Sequence, residues 1–137
     1  MDKADRIEVA DRYAKLLQPY AKKLNLRHDG PGSYSLETKA KSFEVLVKGK
    51  WQIRKAPFMV AAIRAGKAYV SFHFVPVYMF GDLVGTYAPS LKKRQQGKGC
   101  FNFQTYDPEA ARGLKALLKA GIERTRKSPM FKSGAFD

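Results

Sequence analysis

Two runs of alternating residues, PFMVAAIR at 57–64 and AYVSFHFV at 68–75, flank Ala65-Gly66-Lys67 and constrain the fold more than any other feature of the chain. A period of two rich in β-branched and aromatic residues is that of a half-buried strand. The short connection reads as a tight hairpin in which Gly66 takes positive φ. In the second strand Val70, Phe72 and Phe74 point one way and Tyr69, Ser71 and His73 the other. The Val/Phe side is assigned to a helix-covered core shared with Ile7, Leu17, Phe101, Phe103, Leu114 and Leu118.

On the N-terminal side, Ile7, Ala10, Tyr13, Leu17, Ala21 and Leu24 recur at three or four residues and predict a helix from Ala4 to about Leu24. Pro19, with no N–H to donate, should kink it or end a first helix near Leu17. The run HDGPGS at 28–33 reads as turn throughout. Strands follow at Tyr34–Thr38, Ser42–Lys48 and Trp51–Arg54, the last two joined at Lys48-Gly49-Lys50. After Pro76 a loop leads to a short helix, capped near Ala88 or Ser90 and ended by Gly97 in the left-handed conformation. Cys100-Phe-Asn-Phe-Gln104 is a strand. Asp107 caps and Pro108 opens a last helix burying Ala110, Leu114, Leu117, Leu118 and Ile122. Periodicity is lost from Arg124 onward. Helices at the ends and strands in the middle predict an α+β fold, an antiparallel sheet covered by N- and C-terminal helices. A single domain at 1–126 and a mobile basic tail at 127–137 are expected.

The 26 Lys and Arg against 12 Asp and Glu give a net charge of +14. Such a field favours encounter with polyanions, either an anionic small molecule or non-specific nucleic acid, and says little about specificity. No apolar run of membrane-spanning length occurs, so membrane insertion is not expected. The single cysteine, Cys100, forms no internal disulfide, which suits a reducing cytoplasm. Oligomeric state is left open.

The Gly97-Lys98-Gly99 run resembles a phosphate loop, but it follows a helix and precedes a strand, the reverse of the order a Walker loop needs. A helix C-cap is the better reading. Lys92, Lys93, Arg94 and Lys98 suit the end of that helix and also form a candidate anion or nucleic-acid surface. His28 and His73 have no further ligands at zinc spacing, so no metal and no cofactor are expected. Cys100 reads as a small core thiol, although neighbouring Lys98 would lower its pKa. Asp2, Asp5, Glu8 and Asp11 read as favourable charge at a helix N-terminus, since three-residue steps put Asp2 and Asp11 on opposite sides. A ligand site is expected where Tyr69, Ser71, His73, Tyr78, Lys98 and Cys100 meet on the sheet face opposite Phe72, unless Trp51 or the tail fills it.

The segments PFMVAAIRAGKAYVSFHFVPVY, LKKRQQGKGCFNF and DPEAARGLKALLKAGIERTR together resemble the YdhG-like family of largely uncharacterised bacterial proteins. The resemblance covers residues 57–126 and is one of structural pattern: paired strands, a short helix ending in Lys-Gly, an aromatic strand and a basic last helix. It implies a frataxin-like α+β sandwich and iron handling as one activity, for which Asp5, Glu8 and Asp11 are the matching ridge. The basic surface departs from that pattern, because iron delivery of the frataxin kind uses an acidic one. The reading that follows is a cytoplasmic, non-enzymatic binding or adaptor domain with an anionic partner. Its alternatives are an iron chaperone, and an enzyme using Tyr69, His73, Tyr78 and Cys100.

Overall fold

In the computed structural model, which describes residues 2–129, the chain enters its first helix through a capping box. The Asp2 carboxylate accepts from the Asp5 N–H at 2.8 Å and Asp5 accepts from the Asp2 N–H at 3.3 Å. Helix α1 (Lys3–Ala14) buries Ala10, Tyr13 and Ala14, then tightens into a 3-10 turn over Lys15–Tyr20 that contains Pro19. The helical stretch stops short of the Leu24 expected for it. Leu24–Gly30 instead forms strand β1, where Leu24 and Leu26 alternate with Asn25 and Arg27. Only two apolar residues carry that period, and the spacing of Leu17, Ala21 and Leu24 suits a helix equally well, which is why the strand was hidden. The turn is confined to Pro31-Gly32, with Gly32 at φ +69°.

Strands β2 (Ser33–Thr38), β5 (Met59–Ala65), β6 (Val70–Phe74), β7 (Gln95–Gln96) and β8 (Cys100–Phe103) complete a six-stranded antiparallel sheet in the order β1-β2-β5-β6-β8-β7. Its register sorts the side chains into two faces. Tyr34, Ile63, Phe72 and Phe101 lie in one row across four strands, and Leu36, Ala61 and Phe74 lie in the next. The opposite face carries Ser35, Ala62, His73 and Cys100 in one row and Ser33, Arg64, Ser71 and Asn102 in another. A mixed α/β architecture with an antiparallel sheet is therefore observed, as expected.

The helices pack on the Phe72 face. Tyr13 is fully buried against the Phe103 ring at 4.7 Å, and its hydroxyl donates to the Thr105 carbonyl and accepts from the Asp107 N–H. The Tyr34 hydroxyl donates to Asp11 on α1 at 2.6 Å, which pushes its pKa up to about 12. Helix α4 (Pro108–Lys127) opens at Asp107, whose carboxylate accepts from the Glu109 N–H, and buries Ala110, Leu114, Leu117 and Leu118. Val70, Phe72, Phe74, Leu17, Phe101 and Phe103 are at most 1% exposed, whereas Ile7 is only partly buried. Burying each such side chain contributes about 1.5–3 kcal/mol.

Several expectations need correction. Helix α4 continues to Lys127, because Gly121 and the buried Thr125 extend the inward stripe that small and polar letters disguised. Thr125 is satisfied by donating to the Gly121 carbonyl at 2.7 Å. Of the proposed tail, 127–129 are described, with Ser128 buried, and 130–137 lie outside the described residues. Gly66 does not take positive φ. Ala65 pairs with Val70, so the loop spans four residues, and Gly66 serves close approach to the Tyr69 carbonyl. Between β6 and β7 stand two short helices, α2 (Pro76–Met79) and α3 (Leu83–Tyr87), and a 3-10 turn over Pro89–Arg94. Gly97, at φ +64°, turns the β7–β8 hairpin and does not end a helix.

Residues 39–57 leave the main sheet as a finger. Thr38 and Phe58 close its neck, the Thr38 N–H donating to the Phe58 carbonyl at 3.0 Å and the Phe58 N–H to Thr38 Oγ1 at 2.9 Å. Within it, β3 (Phe43–Val47) and β4 (Lys50–Arg54) form a separate two-stranded sheet turned at Lys48-Gly49. Phe43 and Val45 pack against the core, with the Phe43 and Phe58 rings edge to face at 5.2 Å.

Candidate functional site

Strand alternation places Ser71, His73, Cys100 and Asn102 together on the sheet face opposite Phe72, as the sequence predicts for the first three. His73 Nδ1 lies 2.9 Å from Cys100 Sγ, and the Tyr78 ring stands 5.5 Å from the imidazole. This approach depends on Gly99: a Cβ there would collide with the Tyr78 ring and with the Phe74 carbonyl, and the Gly99 carbonyl accepts from the Phe74 N–H at 2.7 Å. Gly99 is thus a close-packing glycine. Burial pushes the Cys100 thiol up and the His73 imidazolium down, so both groups are held neutral near pH 7. Burial is the cause that acts on the thiol, and Lys98 does not lower it. Cys100 is half-buried on the outer face, not a core thiol.

Tyr69 and Lys98 do not join this trio. Lys98 is exposed in the β7–β8 turn, where its carbonyl accepts from Gln95 Nε2 at 2.6 Å. Tyr69 lines a cavity of about 400 Å³ at the β7–β8 edge with Lys93, Arg94, Gln96, Asn102 and Gln104. Arg94 is held there by Asp107 at 3.2 Å and lies over the Phe103 ring. Lys92 and Lys93 are exposed on the same 3-10 turn. A second cavity of about 400 Å³ lies over the middle of the sheet, lined in part by Ser33, Ser35, Arg64, Ser71 and His73. The single site foreseen from sequence is therefore two cavities on one face. Trp51 is in the finger, is 42% exposed and lines neither of them.

Comparison with family models, curated proteins and solved structures finds no match for this chain.

Three of the four acidic residues Asp2, Asp5, Glu8 and Asp11 have structural roles. Asp2 and Asp5 cap the helix, Asp11 accepts from Tyr34, and Glu8 is exposed. Among the described residues no three His, Cys, Asp or Glu side chains stand close enough to hold a metal ion. No helix among them is long and apolar enough to cross a membrane. Gln96, Asn102 and Gln104 were missed as site residues. The alternation Phe101-Asn102-Phe103-Gln104 already put both polar residues on the Tyr69 side, but the neighbouring strand could not be known from sequence. Gln96 was assigned to a helix.

Proposed function

We propose that this chain is a non-enzymatic binding domain for a small anionic ligand, held in the edge cavity by Lys93 and Arg94. One observation carries the reading: two cations, three side-chain amides and a tyrosine wall converge on a single concavity, and among the described residues no carboxylate lines it. Lys93 supplies a mobile point charge. Arg94, oriented by Asp107, presents a fixed fork suited to phosphate or carboxylate oxygens. Gln96, Asn102 and Gln104 add donors, and the +14 field raises the encounter rate with anions. The frataxin-like sandwich and the YdhG-like kinship fit this reading as proposals, as does a cytoplasmic setting. The iron-chaperone alternative draws no support from Asp5 and Asp11 in their capping and hydrogen-bonding roles, which leave only Glu8 of the three without a structural role. The enzyme alternative has the 2.9 Å contact between His73 and Cys100 in its favour. Against it, both groups are held neutral, and among the described residues no carboxylate is bonded to the imidazole.

Two-dimensional NMR titration with inorganic phosphate, pyrophosphate and a nucleoside monophosphate tests the site. Shifts should cluster on Tyr69, Gln96, Asn102 and Gln104, and Lys93→Glu should weaken binding by tenfold or more, as expected for reversing a charge-assisted contact worth about 1.5–3 kcal/mol. Shifts confined elsewhere, or none at millimolar probe, overturn the reading. Labelled DNA and RNA titrated at two salt concentrations separate non-specific polyanion binding, which falls steeply with salt and is indifferent to sequence.

A further inference from the structure

The register that builds the outer face of the sheet also aligns its polar groups. Ser33, Arg64, Ser71 and Asn102 occupy one row across β2, β5, β6 and β8, each directly opposite the next. Gln95 pairs with Phe101, so Arg94, one residue earlier, comes level with Asn102 and ends the row at the β7 edge. Ser71 lines the central cavity and Asn102 the edge cavity, so the two cavities adjoin at that pair. A cation stands toward each end of the row, Arg64 in the central cavity and Arg94 with Lys93 in the edge cavity. Arg64 is exposed, and among the described residues no carboxylate is bonded to it. Of the acids among those residues only Asp29 lines the central cavity. It lies on the β1 side, beyond Ser33, and is held by Arg27 at 3.5 Å. An anion at Arg64 is therefore favoured on the side of Ser71, toward the edge cavity. Neighbouring strands lie about 4.8 Å apart, which puts the backbone of Arg64 about 10 Å from that of Asn102 and about 14 Å from that of Arg94.

We propose that the two cavities take one elongated ligand, anionic at both ends and hydroxylated between them, with its charged groups about 10 Å apart. The inference rests on the anion reading of the edge cavity and adds to it a second anchor and a length. Lys93 and Arg94 hold one phosphate or carboxylate. Arg64 holds the other, its planar fork matching two oxygens of the group. Ser71 and Asn102, between the anchors, exchange hydrogen bonds with the hydroxyls of the middle. An apolar spacer would strip water from these two side chains and return no bond, so a long-chain dicarboxylate is disfavoured. Once one end is bound, the other meets its cation as an intramolecular event, and the second contact adds affinity without a second cost of association.

Glucose 1,6-bisphosphate carries a phosphate at each end of a hydroxylated ring. It is titrated into the full chain beside glucose 6-phosphate and pyrophosphate, by calorimetry and two-dimensional NMR. The bisphosphate should bind at least about tenfold tighter than the monophosphate, as a second charge-assisted contact implies. It should shift Arg64 and Ser71 together with Gln96 and Asn102. Pyrophosphate, charged but compact, should gain much less. Arg64→Gln should remove the advantage of the bisphosphate over the monophosphate, with an amide spectrum unchanged outside the central cavity. Equal affinity for bisphosphate and monophosphate, with both shifting the edge cavity, overturns this inference and leaves the edge-cavity reading standing. An advantage that survives Arg64→Gln, or one that pyrophosphate matches, overturns it as well, since charge alone then accounts for the gain. No shift at the edge cavity with any of the three overturns both.

Discussion

At the scale of single residues, the contact between His73 and Cys100 decides between a reactive and an inert thiol. A thiolate–imidazolium pair needs the cysteine pKa lowered and the histidine pKa raised, and burial moves each in the opposite direction. Alkylation by iodoacetamide should therefore be slow at pH 7 and should keep rising as the pH passes 9, the ordinary value for the group. His73→Ala should leave the rate at pH 7 no slower. A rate that levels off below pH 7, measured by mass spectrometry of the alkylated protein, would show a preformed ion pair and restore the enzyme reading.

At the scale of elements, α4 is joined to the sheet at a point where only glycine fits. A Cβ on Gly121 would collide with two carbons at the edge of the Phe74 ring, which is fully buried, so the helix sits closer to β6 there than a side chain allows without a shift. Two effects compete in Gly121→Ala. Alanine gains about 1 kcal/mol over glycine in a helix interior, while overpacking a filled core costs about 1–3 kcal/mol. The Phe74 ring is fully buried, so its retreat would displace core neighbours, and the second effect should win. The urea midpoint of the variant should drop. A raised midpoint would mean that the Phe74 ring yields and that the close approach is not a constraint.

For the molecule as a whole, one apolar layer holds the terminal helices to the sheet, and Phe72 occupies its middle. Phe72 pairs with Ile63 on one side and Phe101 on the other, and is 1% exposed. Phe72→Ala should cost about 3–5 kcal/mol, read as a lowered urea midpoint with the unfolding slope unchanged. An unmoved midpoint would show that this layer does not carry the fold. The outer face can change much more freely, because Ser33, Ser35, Ser71 and Asn102 are polar and partly exposed. Ligand chemistry can therefore be placed on that face without loss of the layer beneath.

The alternation around Val70, Phe72 and Phe74, the caps at Asp2 and Asp107 and the stripe of Leu114, Leu117 and Leu118 are local patterns, and the sequence by itself determined the elements they form. It also determined which side of β6 is polar, because successive side chains of a strand must face opposite ways. Strand β1 and the end of α4 were not legible, since Leu24 and Leu26 are too few to display a period and Gly121 and Thr125 do not look like core. The pairing of strands distant in the chain was decided by tertiary structure alone. That pairing, Ser71 beside Asn102 and His73 beside Cys100, separates Tyr69 from His73 into two cavities and brings Lys93 and Arg94 to the first. Residues apart in sequence share a site only once register and crossover are fixed, and burial of the Phe72 layer by both terminal helices is what fixes them.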